Sequence, residues 1–435
     1  MSDATATTRE PQPDGEQECP QCQAKMPVYT GYITWCENCG WNLRLEESDP
    51  PNNRFEAIYA SINQRLSTGL FNKLLKAHSL KPTLTWSKII AYTIAGLVHG
   101  LTLVLVVLGL WLALFSWPYL ILTAIGLLML GAAWLLAPKP PKLPKESEIV
   151  SRDDFPALYA LVDKVAEGLN APRIDAIVVY EGYNAAFGQF GWKRKKVLFV
   201  GLPLFSVLNS QEKVGIIAHE LAHSINGDPT RGFFIGTAVN SLVTWYGILY
   251  PDSVTPDAEG YGALGGGCVM PANLIMRGLA WPIVGLVHAL ANLLWRDSQR
   301  AEYMADVLAA GVAGTVGQVS SLEKFQFRHS FEMAAQRAST YFKGENLFYE
   351  LRERVRIAPR REQERIRRVA KLPTLDIVTT HPPTAYRIEM LHTHPVTSPK
   401  VIITEEESEQ IDKELATLEP EMQERIVQAY EESFY

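Results

Sequence analysis

Between Lys88 and Lys139 the chain carries no Asp, Glu, Lys or Arg. Ile89 to Phe115 is long enough to cross a bilayer with some tilt, and Tyr119 to Ala137 is just long enough. Ser116-Trp117-Pro118-Tyr119 interrupts the run. The pattern predicts a transmembrane helical hairpin over 89–137. A buried soluble hairpin would still need a polar face for water, and so long an uncharged stretch offers none. Trp86, Tyr92, Trp117, Tyr119 and Trp134 fit interfacial aromatic belts. Lys73, Lys76, Lys81 and Lys88 precede the hairpin and Lys139, Lys142 and Lys145 follow it, so both ends are expected on the cytoplasmic side.

Elsewhere the period changes. Over 52–80, Phe55, Ile58, Tyr59, Ile62, Leu66, Leu70 and Leu74 recur at helical steps beside Arg54, Arg65, Lys73 and Lys76. This amphipathic juxtamembrane helix either lies on a membrane surface or packs on its neighbours. After a stiff basic linker at Pro138–Lys145, Asp153–Leu169 reads as helix. Ile174–Tyr180, Ala186–Phe190 and Val197–Gly201 read as strands, the last two joined by a turn at Gly191–Arg194. Phe233–Tyr250 and Leu279–Trp295 are uncharged. They are either two further membrane helices (233–250 and 279–295) or a soluble helical cap over a cleft. Ser321–Lys371 reads as helix broken at Gly344 and Pro359, and 401–435 as an acidic helical tail on the surface. The expected fold class is α+β, mainly helical, with one small sheet.

Charge and cysteine usage refine this picture. Net charge is −6, which leaves no basic footprint for nucleic acid. Residues 352–371 hold eight Arg and one Lys, interleaved with Glu353, Glu362 and Glu364, as expected of a solvated helix facing a membrane. Residues 1–18 carry five acids against one Arg and read as a disordered tail. Cys19-Pro-Gln-Cys22 and Cys36-Glu-Asn-Cys39 are two CxxC pairs separated by thirteen residues. Two such pairs make a closed tetrahedral sulfur site, so 19–45 is expected to be a zinc ribbon whose metal supplies its folding energy. A cytoplasmic location weighs against two disulfides. No acid or base of catalytic type lies near these cysteines, so the expected role is assembly or binding of a protein partner.

The chemistry concentrates in Gly215–Asp228, which contains His219-Glu220-Leu221-Ala222-His223. On a helix, His219 and His223 share a face and can aim two imidazoles at one zinc ion, with Glu220 beside it as general base. Ile216, Ile217, Leu221 and Ile225 make that helix apolar enough to be buried. Downstream, Glu302 and Asp306 also share a helix face. Glu302 would complete a two-His, one-Glu site, and Asp306 would hold a ligand imidazole in the correct tautomer.

His219–His223, then Ala301-Glu302-Tyr303-Met304-Ala305-Asp306, then Thr380-His381-Pro382-Pro383-Thr384-Ala385-Tyr386-Arg387-Ile388 is the motif order of the HtpX-type membrane zinc metallopeptidases. These are gluzincins related to the CAAX prenyl endopeptidases. The resemblance runs from about Asp153 to Leu391 and covers neither the first fifty residues nor the C-terminal tail. It implies a zincin-like peptidase domain over 150–400 in an integral protein of the inner or plasma membrane, with its N-terminus and catalytic domain cytoplasmic. By resemblance, His381 and Arg387 belong to the cleft, as catalytic groups that stabilise an oxyanion. Asn184, Ala185, Ala186 and Phe187 resemble the family's edge strand, where a substrate backbone could add. The implied cofactors are one catalytic and one structural zinc ion, and the implied substrates are proteins or peptides, membrane proteins above all, in quality control. The rival readings are a CAAX-type processing endopeptidase and a catalytically silent membrane scaffold.

Overall fold

The structure, a computed structural model, describes residues 11–43, 67–76, 85–144, 148–225, 228–249, 263–340, 346–369 and 381–432. The apolar stripe before Leu66, the loop acids Asp252, Asp257 and Glu259, and Thr380 of the third motif lie outside those residues.

The ribbon opens the described chain. Strands β1 (Gly15–Glu18) and β2 (Lys25–Val28) pair antiparallel, with Glu18 opposite Lys25. Gly15–Glu18, expected to be tail, is therefore the first strand of the ribbon. Helix α1 (67–75) follows. It does not lie free on a surface. Phe71 and Leu74 are buried against Tyr303 and Met390, because the apolar stripe finds a protein face to cover.

Helix α2 (Trp86–Phe115) is capped by Thr85 and is the one described helix long and apolar enough to cross a membrane. The second arm, α3 (Leu120–Leu136), is apolar but shorter. The two pack closely where glycines meet: a Cβ on Gly126 would lie 2.8 Å from Gly109 O. Helix α2 begins before the expected boundary, and Lys88 lies inside it. Lys88 is buried and pairs with Asp297 at 3.4 Å, so its charge is matched within the protein.

The catalytic half begins with β3 (Glu148–Val150) and α4 (Pro156–Leu169). Strands β4 (Ala176–Tyr180), β5 (Ala185–Phe190) and β6 (Lys195–Gly201) then complete a sheet in the order β3-β4-β6-β5. Three of the four strands are those the alternation predicted. β5 pairs only with β6 and forms the sheet's edge.

A short helix α5 (Leu202–Phe205) leads into α6 (Ser210–Ile225). The start of α6 is fixed by a reciprocal cap: Glu212 N donates to Asn209 Oδ1 at 2.9 Å and Asn209 N donates to Glu212 Oε2 at 2.8 Å. Helices α7 (Asp228–Leu249) and α8 (Ala263–Phe325) follow. Their apolar stretches pack on α2: Ile235, Ala238, Leu242, Ile283 and Leu290 cluster with Ala91, Ala95 and Val98. Helix α8 breaks at Gly314, whose φ of 79° suits only glycine without strain. Beyond the break it crosses α6 closely: a Cβ on Gly215 would meet Gln318 Oε1 at 2.9 Å.

Helices α9 (Arg328–Thr340), α10 (Leu347–Arg356), α11 (Arg360–Val369), α12 (Thr384–Thr393), α13 (Glu405–Ala416) and α14 (Glu419–Glu432) complete the chain. Two expectations are corrected here. The acidic C-terminal stretch is no surface tail. Ile411, Leu415, Met422 and Ile426 belong to the main core beside α4 and α6. The Glu414 carboxylate caps α4 by accepting from Ala157 N and Leu158 N at 2.8 and 2.9 Å. Lys213 of α6, fully buried, donates to Ser408 Oγ and Asp412 Oδ2.

The arginine-rich run is not a freely solvated face either. It receives the ribbon. Trp35 is buried with the guanidinium groups of Arg361 and Arg368 at 4.9 and 5.0 Å from its ring. Arg354, Arg361, Arg365 and Arg368 donate to the carbonyls of Gly31, Trp35, Leu43 and Glu37. Guanidinium forks suit a face of main-chain acceptors, and the ribbon supplies one.

Candidate active site

Two long helices build the site. Apolar Ile216, Ile217 and Leu221 bury α6 in the core and carry His219 and Glu220 with them, both also buried. Helix α8 carries Glu302 and Asp306, one turn apart, against it. The third motif arrives at the start of α12.

The distances separate the roles. His219 Nε2 lies 3.5 Å from Glu302 Oε2, and His223 Nε2 lies 3.6 Å from Glu302 Oε1. The two imidazole rings stand nearly perpendicular with centroids 5.0 Å apart. His219 Nδ1 is 3.0 Å from Asp306 Oδ1, as expected of a carboxylate that fixes the tautomer and leaves Nε2 for a ligand. His381 Nδ1 is 2.6 Å from Glu302 Oε2. Donor atoms of His219, Glu302 and His381 all lie within 4.8 Å of one another. His381 thus stands beside the donors. His223 remains at the other oxygen of Glu302.

Arg387 departs further from expectation. Its guanidinium is buried and bidentate on Asp306, with Nε to Oδ2 and Nη2 to Oδ1 both 2.7 Å. Nη2 stands 3.8 Å from Glu302 Oε2. Nη2 is also 3.3 Å from His219 Nε2, so the guanidinium lies against the donor set as well as against Asp306.

The charges of the cluster act on one another. Burial disfavours a proton on His219, but the carboxylates of Asp306 and Glu302 outweigh it and hold the imidazole up at about 10. Burial would raise Glu302, but hydrogen bonds from His219 and His381 draw it well below the carboxylate range. Asp306 is likewise drawn down against burial, by Arg387 and then His219, to about 2. A buried carboxylate ringed by imidazoles and balanced by an imidazole proton is a donor set for a divalent cation, whose charge would take that proton's place. Two or three imidazole nitrogens with one carboxylate match the donor preference of zinc.

The remaining predicted residues fall in two places. Ala185, Ala186 and Phe187 lie on edge strand β5, and Asn184 just before it accepts from Gly201 N at 2.9 Å. Cys19, Cys22, Cys36 and Cys39 come together at the ribbon, with all four sulfurs within 4.8 Å of one another. Sequence reasoning missed Tyr303 and Tyr386, which adjoin Glu302 and Arg387. Phe71 of α1 stacks on Tyr386 at 4.6 Å and tilts on Tyr303 at 6.0 Å. Two aromatics beside two site residues were the available signal.

An HExxH helix and a carboxylate from a second helix, joined by one donor set, define a zinc-type metallopeptidase site. The chain belongs to peptidase family M48, whose sequence profile matches residues 153–395. Among curated relatives, it is 28% identical over 174 residues to the protease HtpX homolog of Desulforapulum autotrophicum, covering 38% of this chain and 52% of that protein. It is 28% identical over 257 residues to the homolog of Pyrobaculum calidifontis, covering 55% and 69%. It is 26% identical over 164 residues to protease HtpX of Pseudomonas putida strain W619, covering 37% and 51%. The chain spans about half the length of most of the curated relatives it matches. No solved structure matches it.

Proposed function

We propose that the protein is a membrane-bound, zinc-dependent endopeptidase that cleaves membrane proteins in their quality control. The observation that carries the reading is the meeting of His219, His223 and His381 around the buried carboxylate of Glu302. Family M48 membership and the protease names of the relatives support it.

Zinc, when bound by His219, His223 and Glu302, supplies a Lewis acid that polarises a carbonyl and acidifies water. The chain's own residues do the rest. Glu220, on the turn between the two histidines, takes the proton of the attacking water and returns it to the leaving amine. His381, half-exposed beside Glu302, donates toward the oxygen that gains charge. Asp306 and Arg387 hold His219 in its tautomer. The free edge of β5 offers main-chain donors and acceptors to an extended substrate. Such pairing reads backbone, so it favours unfolded segments over a fixed sequence. Helix α2, with α3 beside it and both ends cytoplasmic, anchors the enzyme, and the stretches 233–250 and 279–295 add two more crossings. All four main catalytic positions are filled by the residues the chemistry needs, which leaves the silent-scaffold reading without support.

The test is degradation of a membrane protein by reconstituted enzyme, wild type against Glu220→Gln, with product sequencing. Internal cleavage by the wild type alone is expected. Equal cleavage by both removes the assignment.

A further inference from the structure

The hairpin between β5 and β6 ends in Trp192-Lys193-Arg194-Lys195-Lys196. None of the chemistry above uses it. Trp192 is 75% exposed, and an indole of that size at a hairpin tip is costly in water. Lys193 and Lys195 are exposed as well.

Three contacts fix the level of this tip along the helix bundle. Gly191 N donates to Pro141 O at 2.9 Å, in the linker that leaves α3. The Arg194 guanidinium lies 5.4 Å from the centre of the Phe233 ring, on α7. Next to it, Phe234 O is 3.0 Å from His99 Nε2 on α2. The Gly109–Gly126 crossing sets α3 antiparallel to α2, which brings the end of α3 level with the His99 turn. The tip, the end of α3 and the first turns of α7 therefore share one level.

That level has the chemistry of a bilayer boundary. Trp134, 72% exposed, sits there under the ammonium of Lys139 at 5.5 Å. Exposed Lys142 follows on the same linker. On the distal side of this level α2 exposes Leu101, Leu103, Val104 and Val107. On the near side it exposes Ile89, Ile90 and Leu97 and pairs Lys88 with Asp297. Helix α2 spans roughly 45 Å at about 1.5 Å per residue, against a hydrocarbon core of about 30 Å, so the core can hold the helix with turns to spare at this end. Among the described residues of the strands beside the tip, Asp175 is the nearby acid, and it accepts from Lys196 N at 2.7 Å. The tip is thus an aromatic residue flanked by cations, continuous with the base of the apolar helices.

We infer that the Trp192–Lys196 hairpin tip docks into the headgroup layer of an anionic bilayer, with Trp192 in the interface and Lys193 and Lys195 on lipid phosphates. This rests on the reading of α2 as a membrane helix. It also gives β5 a direction: the strand runs from Ala185, near α6, out to Phe190, at the lipid surface. A segment drawn from the bilayer would meet the strand edge at its lipid end first.

The test uses the full chain in vesicles of phosphatidylcholine, with or without phosphatidylglycerol, some carrying bromine near the headgroup end of the acyl chains. The Trp192 emission is the difference between wild type and Trp192→Phe. Bromolipid should quench that emission in the anionic vesicles, and Lys193→Glu with Lys195→Glu should lower the quenching several-fold without changing circular dichroism or zinc content. Unquenched emission from protein that floats with the vesicles overturns the docking while leaving the membrane anchor intact. Equal quenching in the phosphatidylcholine vesicles overturns the preference for an anionic bilayer, and equal quenching in the charge-reversed variant overturns the lysine contacts. Protein that does not float overturns the membrane reading itself.

Discussion

Glu220 and Asp306 are two carboxylates at one site, yet substitution should separate them. Glu220→Gln keeps the donor set and removes the base. Zinc content should stay at the wild-type value while peptide hydrolysis falls by about 100- to 10,000-fold, read by metal analysis and turnover of one preparation. Asp306→Asn keeps the shape but loses the charge that orients His219 Nδ1–H and neutralises Arg387. Zinc affinity should drop about 10- to 100-fold in a chelator titration. Asp306 is drawn down to about 2, so its contribution is complete above the ordinary aspartate value near 4 and is lost only as pH falls toward 2. Proton competition for zinc should therefore report His219, and Asp306→Asn, which removes the main carboxylate holding that proton, should move the acid limb of zinc binding to lower pH. A limb that stays in place would remove Asp306 from the tautomer role.

At the scale of elements, two segments that read as peripheral hold the site in place. Helix α1 presses Phe71 between Tyr303 and Tyr386, the chain neighbours of Glu302 and Arg387. Phe71→Ala should cost about 3 kcal/mol of docking energy. Limited proteolysis should then cut near 67–76, with reduced kcat and retained zinc. Protection equal to wild type would show that α1 is held elsewhere. Helices α13 and α14 contribute Ile411, Leu415, Met422 and Ile426 to the core and neutralise Lys213, which is fully buried on the catalytic helix. Ending the chain after residue 395, where the family match stops, should leave that ammonium uncompensated and the catalytic half insoluble. A soluble, active protein ending there would show these helices to be dispensable.

For the whole molecule, the ribbon and the catalytic half are separate in sequence but joined through Trp35 and four arginines. Cys36→Ser should reduce zinc from two ions to one per chain, since the tetrathiolate supplies the ribbon's folding energy. Trypsin should then cut at Arg361 and Arg368, which the intact ribbon covers. Hydrolysis of a short peptide should persist, because no ribbon residue touches the donor set. Loss of that hydrolysis with catalytic zinc retained would make the ribbon part of the catalytic unit. The sequence by itself determined the parts whose physics is local. The i, i+4 spacing put His219 with His223 and Glu302 with Asp306 on common faces, CxxC pairs brought four sulfurs together, alternation marked three strands, and an uncharged run marked α2. Only the tertiary structure decided which charge meets which. The Arg352–Arg368 run and the acidic C-terminal stretch look solvated in one dimension, because their partners, Trp35 with the ribbon carbonyls and Lys213 with the α4 amides, lie hundreds of residues away. Arg387 likewise reads as a free cation until Asp306, brought to it by the packing of α8 on α12, takes both arms of its fork.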